Sequence, residues 1–324
     1  MPANCVLTVD LGGTKVAAAL VDRKGKVLTQ KSLSVDVSST LAPVKQIVEL
    51  ARELAGKKKK GVQGKIAAMG VAVPGLVRRD GTVWAPNLPG WKRMPLARRL
   101  HHALGVPVVV ESDRNAAVLG EAWRGGARGK DDVIVLMLGT GIGAGILSGG
   151  RLVRGAHELS GCAGWMVVTD QHGPETQGVG QLESLAAGPA IASAAKKKLA
   201  QGIGGLLKEI PVEAITAHEV AEAARRGDSA SIEVYQEAGR LLGYGVANLV
   251  SLFDPEIVVI GGGLAMASDL FLNALRKAMK ERAQPIAAKQ VRVVASRLGN
   301  KANLLGAAWA ATRKLDHRPQ IGKH

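Results

Sequence analysis

The segment Asp10-Leu11-Gly12-Gly13-Thr14-Lys15 sets a carboxylate at the end of an apolar run, followed by two glycines, a hydroxyl and an ammonium group. A glycine turn of this kind exposes backbone N–H groups that can cradle phosphate oxygens, and the carboxylate beside it can hold a divalent cation through water. A plain hairpin with a Gly-Gly turn is the other reading of the same residues. Leu138-Gly139-Thr140-Gly141-Ile142-Gly143 repeats the arrangement, and two such turns could clamp the phosphates of one ligand. Gly261-Gly262-Gly263 follows the apolar run Ile257–Ile260 and allows close backbone approach, either for a nucleoside or for helix packing. Asp113, in Glu111-Ser112-Asp113-Arg114-Asn115, can be a general base or the N-cap of the helix that starts there.

These residues need positioning elements, and the chain supplies two copies of one. The β-branched run Cys5–Asp10 enters the first glycine turn and Val16–Asp22 leaves it; Val133–Leu138 enters the second and Ala144–Leu147 leaves it. Both are strand-turn-strand, whereas a Rossmann or P-loop glycine turn leads into a helix, so those two nucleotide folds are excluded. The remaining pattern alternates: helix over 42–54, strand over 66–73, helix over 95–104, strand over 106–111, helix over 115–124. Long helices follow over 181–199 and 217–250, then a strand over 257–260, a helix, a strand over 291–295 and a last helix.

With 324 residues and only 3% aromatics, the chain must build its core from Ala, Val, Leu and Ile, which suits parallel sheets covered by helices. The class expected is α/β. No apolar run is long enough for a membrane span, and the start, Met1 to Leu7, has no secretory pattern, so a cytoplasmic protein without membrane partner is expected. Cys5 and Cys162 are too few and too far apart for a disulfide framework. The net charge of +16 would attract polyanions, but the basic runs Lys57–Lys60 and Lys196–Lys198 lack interleaved aromatics and read as solvated helix ends; no nucleic acid is expected as partner.

Together with Pro74-Gly75, the loop Ala85-Pro86-Asn87-Leu88-Pro89-Gly90-Trp91 and Glu111–Ala117, these three glycine elements in this order resemble the ROK family of repressors and sugar kinases, from Val6 to about Lys314. The resemblance implies the two-lobed ribonuclease-H-like, actin-like ATPase fold shared by sugar kinases, Hsp70 and actin. It places a smaller N-terminal lobe over 1–124, with the helix 302–314 packing back on it, a larger lobe over 125–301 and a frayed tail over 315–324. Repressor members carry a winged helix before the first strand; this chain starts its strand at once, and a kinase is expected. The resemblance further implies phosphorylation of a hexose or hexose derivative by Mg-ATP, with Asp113 as base and ATP between the two glycine hairpins. Asp10, Gly12, Gly13, Thr14, Lys15, Gly139, Thr140, Gly141, Gly261 and Gly262 would hold the nucleotide, with Asp10 on Mg²⁺ through water. Asn87, Ser112, Asp113, Cys162, Trp165 and Glu183 would face the sugar, and a homodimer or homotetramer is implied.

The departures from the family pattern gather in the sugar half. Ser112 stands where an Asn is usual. Cys162 and Trp165 stand at the Glu and His of the family's Glu-x-Gly-His segment, and Pro174, Thr176 and Gln181 at its zinc cysteines, so no structural zinc is expected. His157, His172 and Cys162 are scattered in polar loops and are expected to be unliganded. Trp165 could stack on a sugar ring or fill the space of the lost zinc, and Gln181 and Glu158 could replace missing polar contacts. Glucose itself is therefore doubtful. Two other functions stay open: a non-catalytic sugar or nucleotide sensor on the same fold, and an actin-like assembly protein.

Overall fold

The computed structural model describes residues 5–56, 66–170 and 178–316. Lys57–Lys60, His172, Pro174, Thr176 and the tail from 317 lie outside the described residues. In chain order the elements are β1 (Cys5–Leu11), β2 (Lys15–Val21), β3 (Val27–Ser34), α1 (Ala42–Gly56), β4 (Ile66–Val73), β5 (Leu76–Val77), β6 (Val83–Trp84), α2 (Leu96–Leu104), β7 (Val108–Ser112) and α3 (Asp113–Arg124). They continue with β8 (Val133–Leu138), β9 (Ile142–Ser148), β10 (Arg151–Leu152), α4 (Gln181–Ala186), α5 (Gly188–Ala200), α6 (Ala217–Arg225) and α7 (Ser229–Phe253). β11 (Ile257–Gly261), α8 (Ser268–Arg282), α9 (Pro285–Gln290), β12 (Arg292–Ala295) and α10 (Lys301–Asp316) complete the chain.

The chain divides into two compact units, one holding residues up to Asp131, Gly145–Ser160 and the chain from Asn300, the other Asp132–Ala144 and Gly161–Gly299. The first unit thus takes in residues 145–160, beyond the boundary expected at 125. Its sheet runs β3-β2-β1-β4-β7, with β1–β2 and β2–β3 antiparallel and β1–β4 and β4–β7 parallel. The central strands are buried along nearly their whole length, as a sheet covered on both faces requires. One apolar cluster joins Leu7, Val9, Ile47, Leu50, Val71, Trp91 and Leu100.

α10 seals this sheet through a seam of small residues. A Cβ on Gly70 would meet the Ala307 carbonyl oxygen at 1.9 Å, and one on Gly306 would meet the Ala116 carbonyl oxygen at 1.7 Å. The helix therefore sits in direct backbone contact with β4 and α3, a distance only glycine allows.

The second sheet has the order β10-β9-β8-β11-β12, and in the second unit β11 lies parallel between β8 and β12. Two helices expected as single long ones are each broken. The span 181–199 is split at Ala187, where ψ of 170° precedes Gly188-Pro189: proline supplies no N–H to continue the helix and suits the first turn of the next. The span 217–250 is split at Gly227, with φ of 91°, after which the Asp228 carboxylate accepts from the Ser231 N–H at 2.8 Å and starts α7. β3 was hidden by its weak alternation, being only half-buried along Val27–Ser34.

Candidate active site

Asp10 is held near the end of β1 by backbone pairing with Ala17 on one side and Ala72 on the other. The turn beyond it closes through Gly12 N–H donating to the Lys15 carbonyl at 2.8 Å, leaving Gly13, Thr14 and Lys15 exposed. Asn87 is presented beside this turn: its Cβ would lie 3.6 Å from a Cβ on Gly13. The Asn87 loop is rigid because Leu88 and Trp91 are buried and the Trp91 indole N–H donates to the Thr40 carbonyl at 2.9 Å.

Asp113 is the first residue of α3, and the cap is Ser112, whose Oγ accepts from the Asn115 N–H at 3.4 Å. The capping role weighed for Asp113 thus belongs to its neighbour Ser112. The Asp113 carboxylate accepts from the Arg114 N–H at 2.8 Å. Burial raises the Asp113 pKa, partly offset by the Arg114 backbone bond and charge. Asp10 is pushed up to about 6, chiefly by burial, with the charge of Asp113 adding and an Asn303 amide bond of 3.1 Å opposing. Asp10 thus feels the charge of Asp113, and burial pushes both carboxylates toward neutrality, which suits them to proton and cation chemistry.

Glu111, on the strand that ends at Asp113, is buried and takes a two-pronged bond from Arg154, at 3.0 and 2.5 Å. Arg154 also lies 3.6 Å from Glu158, which meets Arg79 at 3.2 Å. The Glu158 backbone has φ of 60°, left-handed for a side chain that disfavours it, and its carbonyl accepts from Arg114 at 3.1 Å. The Glu158 carbonyl thus ties its loop to α3, while its carboxylate is engaged with Arg79 and Arg154.

In the second unit, Gly139 and Thr140 line a cavity of about 700 Å³ together with Gly188, Tyr235, Gly263 and Leu264. The Gly188 N–H donates to the Gly139 carbonyl at 2.9 Å, so α5 begins against the glycine turn. Gly262 holds φ of 83°, and a Cβ there would meet the Leu138 carbonyl oxygen at 2.2 Å, so it shapes the wall. Gly261 and Gly262 do not line the cavity; Gly263, Leu264, Met266 and Ala267 do. Arg225 pins that segment, donating to the Met266 carbonyl at 2.8 Å and to Asp269.

Glu183 lies under the same turn: its Oε2 accepts from the Ile142 N–H at 2.6 Å, and a Cβ on Gly141 would come within 2.7 Å of it. A Cβ on Gly164 would touch Glu183 as well, which brings the Cys162–Trp165 segment against the glycine turn. Trp165 is 61% exposed, which overturns the reading of its side chain as core filling. Gln181 ties the loop that cysteines would tie in the family pattern: its Oε1 accepts from Val168 and Thr169 N–H at 2.7 and 3.0 Å, and its Nε2 donates to the Thr169 carbonyl at 3.0 Å. Those bonds occupy Gln181 with the loop. Among the described residues no three His, Cys, Asp or Glu side chains form a metal cluster, and no helix is long and apolar enough to cross a membrane.

The first unit thus brings together Asp10, Gly12, Gly13, Asn87 and Asp113, and the second Gly139, Thr140, Gly141 and Glu183. Sequence reasoning missed Asn303, Gly188, Tyr235 and the Glu111–Arg154 pair. Gly188-Pro189 was a readable helix-start signal; Asn303, almost 300 positions from Asp10, carried none.

The chain matches the ROK family over residues 6–314. It is 36% identical over 314 residues to a glucokinase of Streptomyces coelicolor, covering 93% of this chain and 95% of that protein. A glucokinase of Thermotoga maritima is 33% identical over 318 residues, covering 95% and 97%. Among solved structures, a ROK family glucokinase of Streptomyces griseus, in complex with glucose and AMPPNP, superposes with a TM-score of 0.79 at 32% identity, covering 96% of this chain and all of that one.

Proposed function

The chain belongs to the ROK family, with its ribonuclease-H-like, actin-like ATPase fold, and from that premise we propose that Asp113 is the base with which it phosphorylates a hexose or hexose derivative at the expense of ATP. It is a sugar kinase, and the glucokinase relatives support a sugar hydroxyl as acceptor. The observation that carries the reading is the Asp113 carboxylate, raised by burial at the start of α3 and close enough to Asp10 for their charges to interact.

A base must hold the sugar hydroxyl's proton as the oxygen attacks the γ-phosphorus, and a carboxylate moved up from its ordinary range takes that proton more readily. The hydroxyl oxygen forms the new P–O bond, the bond to the β-phosphate oxygen breaks and ADP leaves. Phosphoryl transfer asks mainly for positioning and charge stabilisation. The exposed turn residues Gly13 and Thr14 offer N–H groups that suit phosphate oxygens, and so does Thr140. The cavity of the second unit, apolar at Leu264 and Ala267, has room for a nucleoside. Asp10 fits hydrated Mg²⁺: it is a hard oxygen donor, and its burial with a raised pKa marks a negative charge that a cation would relieve. When bound there, the ion neutralises charge on the transferring phosphoryl group.

Asn87 and Glu183 are proposed as sugar contacts, with Trp165 offering an exposed aromatic face for a ring or an apolar substituent. Cys162 and Trp165 cannot make the bonds of the Glu and His they replace. Losing two strong hydrogen bonds, each worth about 1.5 to 3 kcal/mol, argues for a sugar other than glucose. ADP release with Mg-ATP, measured across hexoses, amino sugars and N-acetylated sugars with Asp113→Asn as control, tests the proposal. Turnover with one class, lost in the variant, is expected. ATP binding with no sugar turned over above that control would refute it and favour the sensor.

A further inference from the structure

The Asn303 amide stands at the first turn of α10 and donates to Asp10 Oδ1 at 3.1 Å. Its other end is unaccounted for. Asn303 Oδ1 is buried with no hydrogen-bond partner among the described residues, and so is Thr8 Oγ1, two residues before Asp10 on the same face of β1. Leaving such an oxygen dry costs about 1 to 3 kcal/mol, so a buried acceptor of this kind takes an O–H donor, and with no donor among the described residues that donor is water.

The oxygen is bonded to the same carbon as the nitrogen that touches Asp10, so one water can bridge it to the surroundings of the Asp10 carboxylate. That is the place where a hydrated divalent cation would sit under the reading of Asp10 given above. We propose that Asn303 is a second residue of the metal site: its N–H orients the Asp10 carboxylate, and its Oδ1 accepts a hydrogen from a water of the ion's hydration shell. The amide suits both tasks, since one face donates and the other accepts. Such outer-shell partners govern metal affinity by roughly 10- to 100-fold.

The test uses the full chain with ADP and Mn²⁺ as a paramagnetic substitute for Mg²⁺, with Mn²⁺ affinity read by water-proton relaxation and ADP affinity read separately in EDTA. Asn303→Ala is expected to weaken Mn²⁺ at least tenfold with ADP affinity unchanged in EDTA. Asn303→Asp, which keeps an acceptor oxygen but loses the N–H on Asp10, is expected to fall between Asn303→Ala and the native chain. Asn303→Ala within twofold of native, or Asn303→Asp as weak as Asn303→Ala, would overturn the proposal. Asp10→Asn separates the two readings: Mn²⁺ affinity unchanged in that variant would remove Asp10 from the metal, whereas a loss there with none in Asn303→Ala would sink the role of Asn303 alone. Thermal melts of each variant establish that it is folded.

Discussion

Gly306→Ala adds one methyl group where α10 crosses α3. The new carbon would stand 1.7 Å from the Ala116 carbonyl oxygen and 2.5 Å from its carbon. A carbon and a carbonyl oxygen approach no closer than about 3.3 Å, so the two helices must part by about 1.6 Å. The contact is backbone on both sides, and no side-chain rotation relieves it. The cost expected is about 3 kcal/mol, at the upper end for overpacking because the whole seam opens, including the Gly70 contact with Ala307. α10 also carries Asn303, so a shift of this size breaks its 3.1 Å bond to Asp10. A displacement near 1 Å at a reacting site can cost about 100-fold in rate. Urea unfolding followed by circular dichroism measures the first effect, and kcat with the best sugar the second. Gly56→Ala, at a position with nothing within 4 Å, is the control and should be neutral. Gly306→Ala within 0.5 kcal/mol of the native chain, a threshold of about the scatter for surface substitutions, would refute the seam.

Three further outcomes are expected. The Asp10 pKa in the folded chain, about 6, lies above the ordinary 3.8, so its favourable contribution is complete below pH 3.8 and is lost as pH rises through 6. In metal-free and nucleotide-free protein, Asp10→Asn should therefore gain up to about 3 kcal/mol on the native chain between pH 4 and 7, and parallel stability curves would contradict this. Arg154→Met leaves Glu111 buried without its guanidinium and should cost about 2 kcal/mol, reduced from the fully buried value because Arg154 is partly exposed; in a double-mutant cycle, adding Glu111→Leu should recover most of it. Gln181→Leu strands two N–H groups and a carbonyl and should cost about 3 kcal/mol in urea unfolding.

Much of the fold was legible because its signals are local. The β-branched runs around both glycine turns read as strands and are strands, and the ROK resemblance on those turns is borne out over residues 6–314. Helix continuity was misread where one residue decides it, at Ala187 before Gly188-Pro189 and at Gly227. Apolar periodicity runs on through both breaks, since each pair of helices buries an apolar face. Ser112 against Asp113 at the start of α3 was a choice between adjacent residues that both cap helices well, and only backbone dihedrals separate them.

The sequence by itself determined the α/β class, the two strand-turn-strand hairpins and, through the order of their glycine turns, the ROK resemblance, because turn residues and strand periods act over a few neighbours. Tertiary structure alone decided that Asn303 reaches Asp10, that Arg154 neutralises Glu111, and that Trp165 faces solvent while Gln181 stitches its loop. Each of those depends on which distant backbones come within bonding distance. Here that distance is set by glycines such as Gly70 and Gly306, where the missing side chain lets α10 approach.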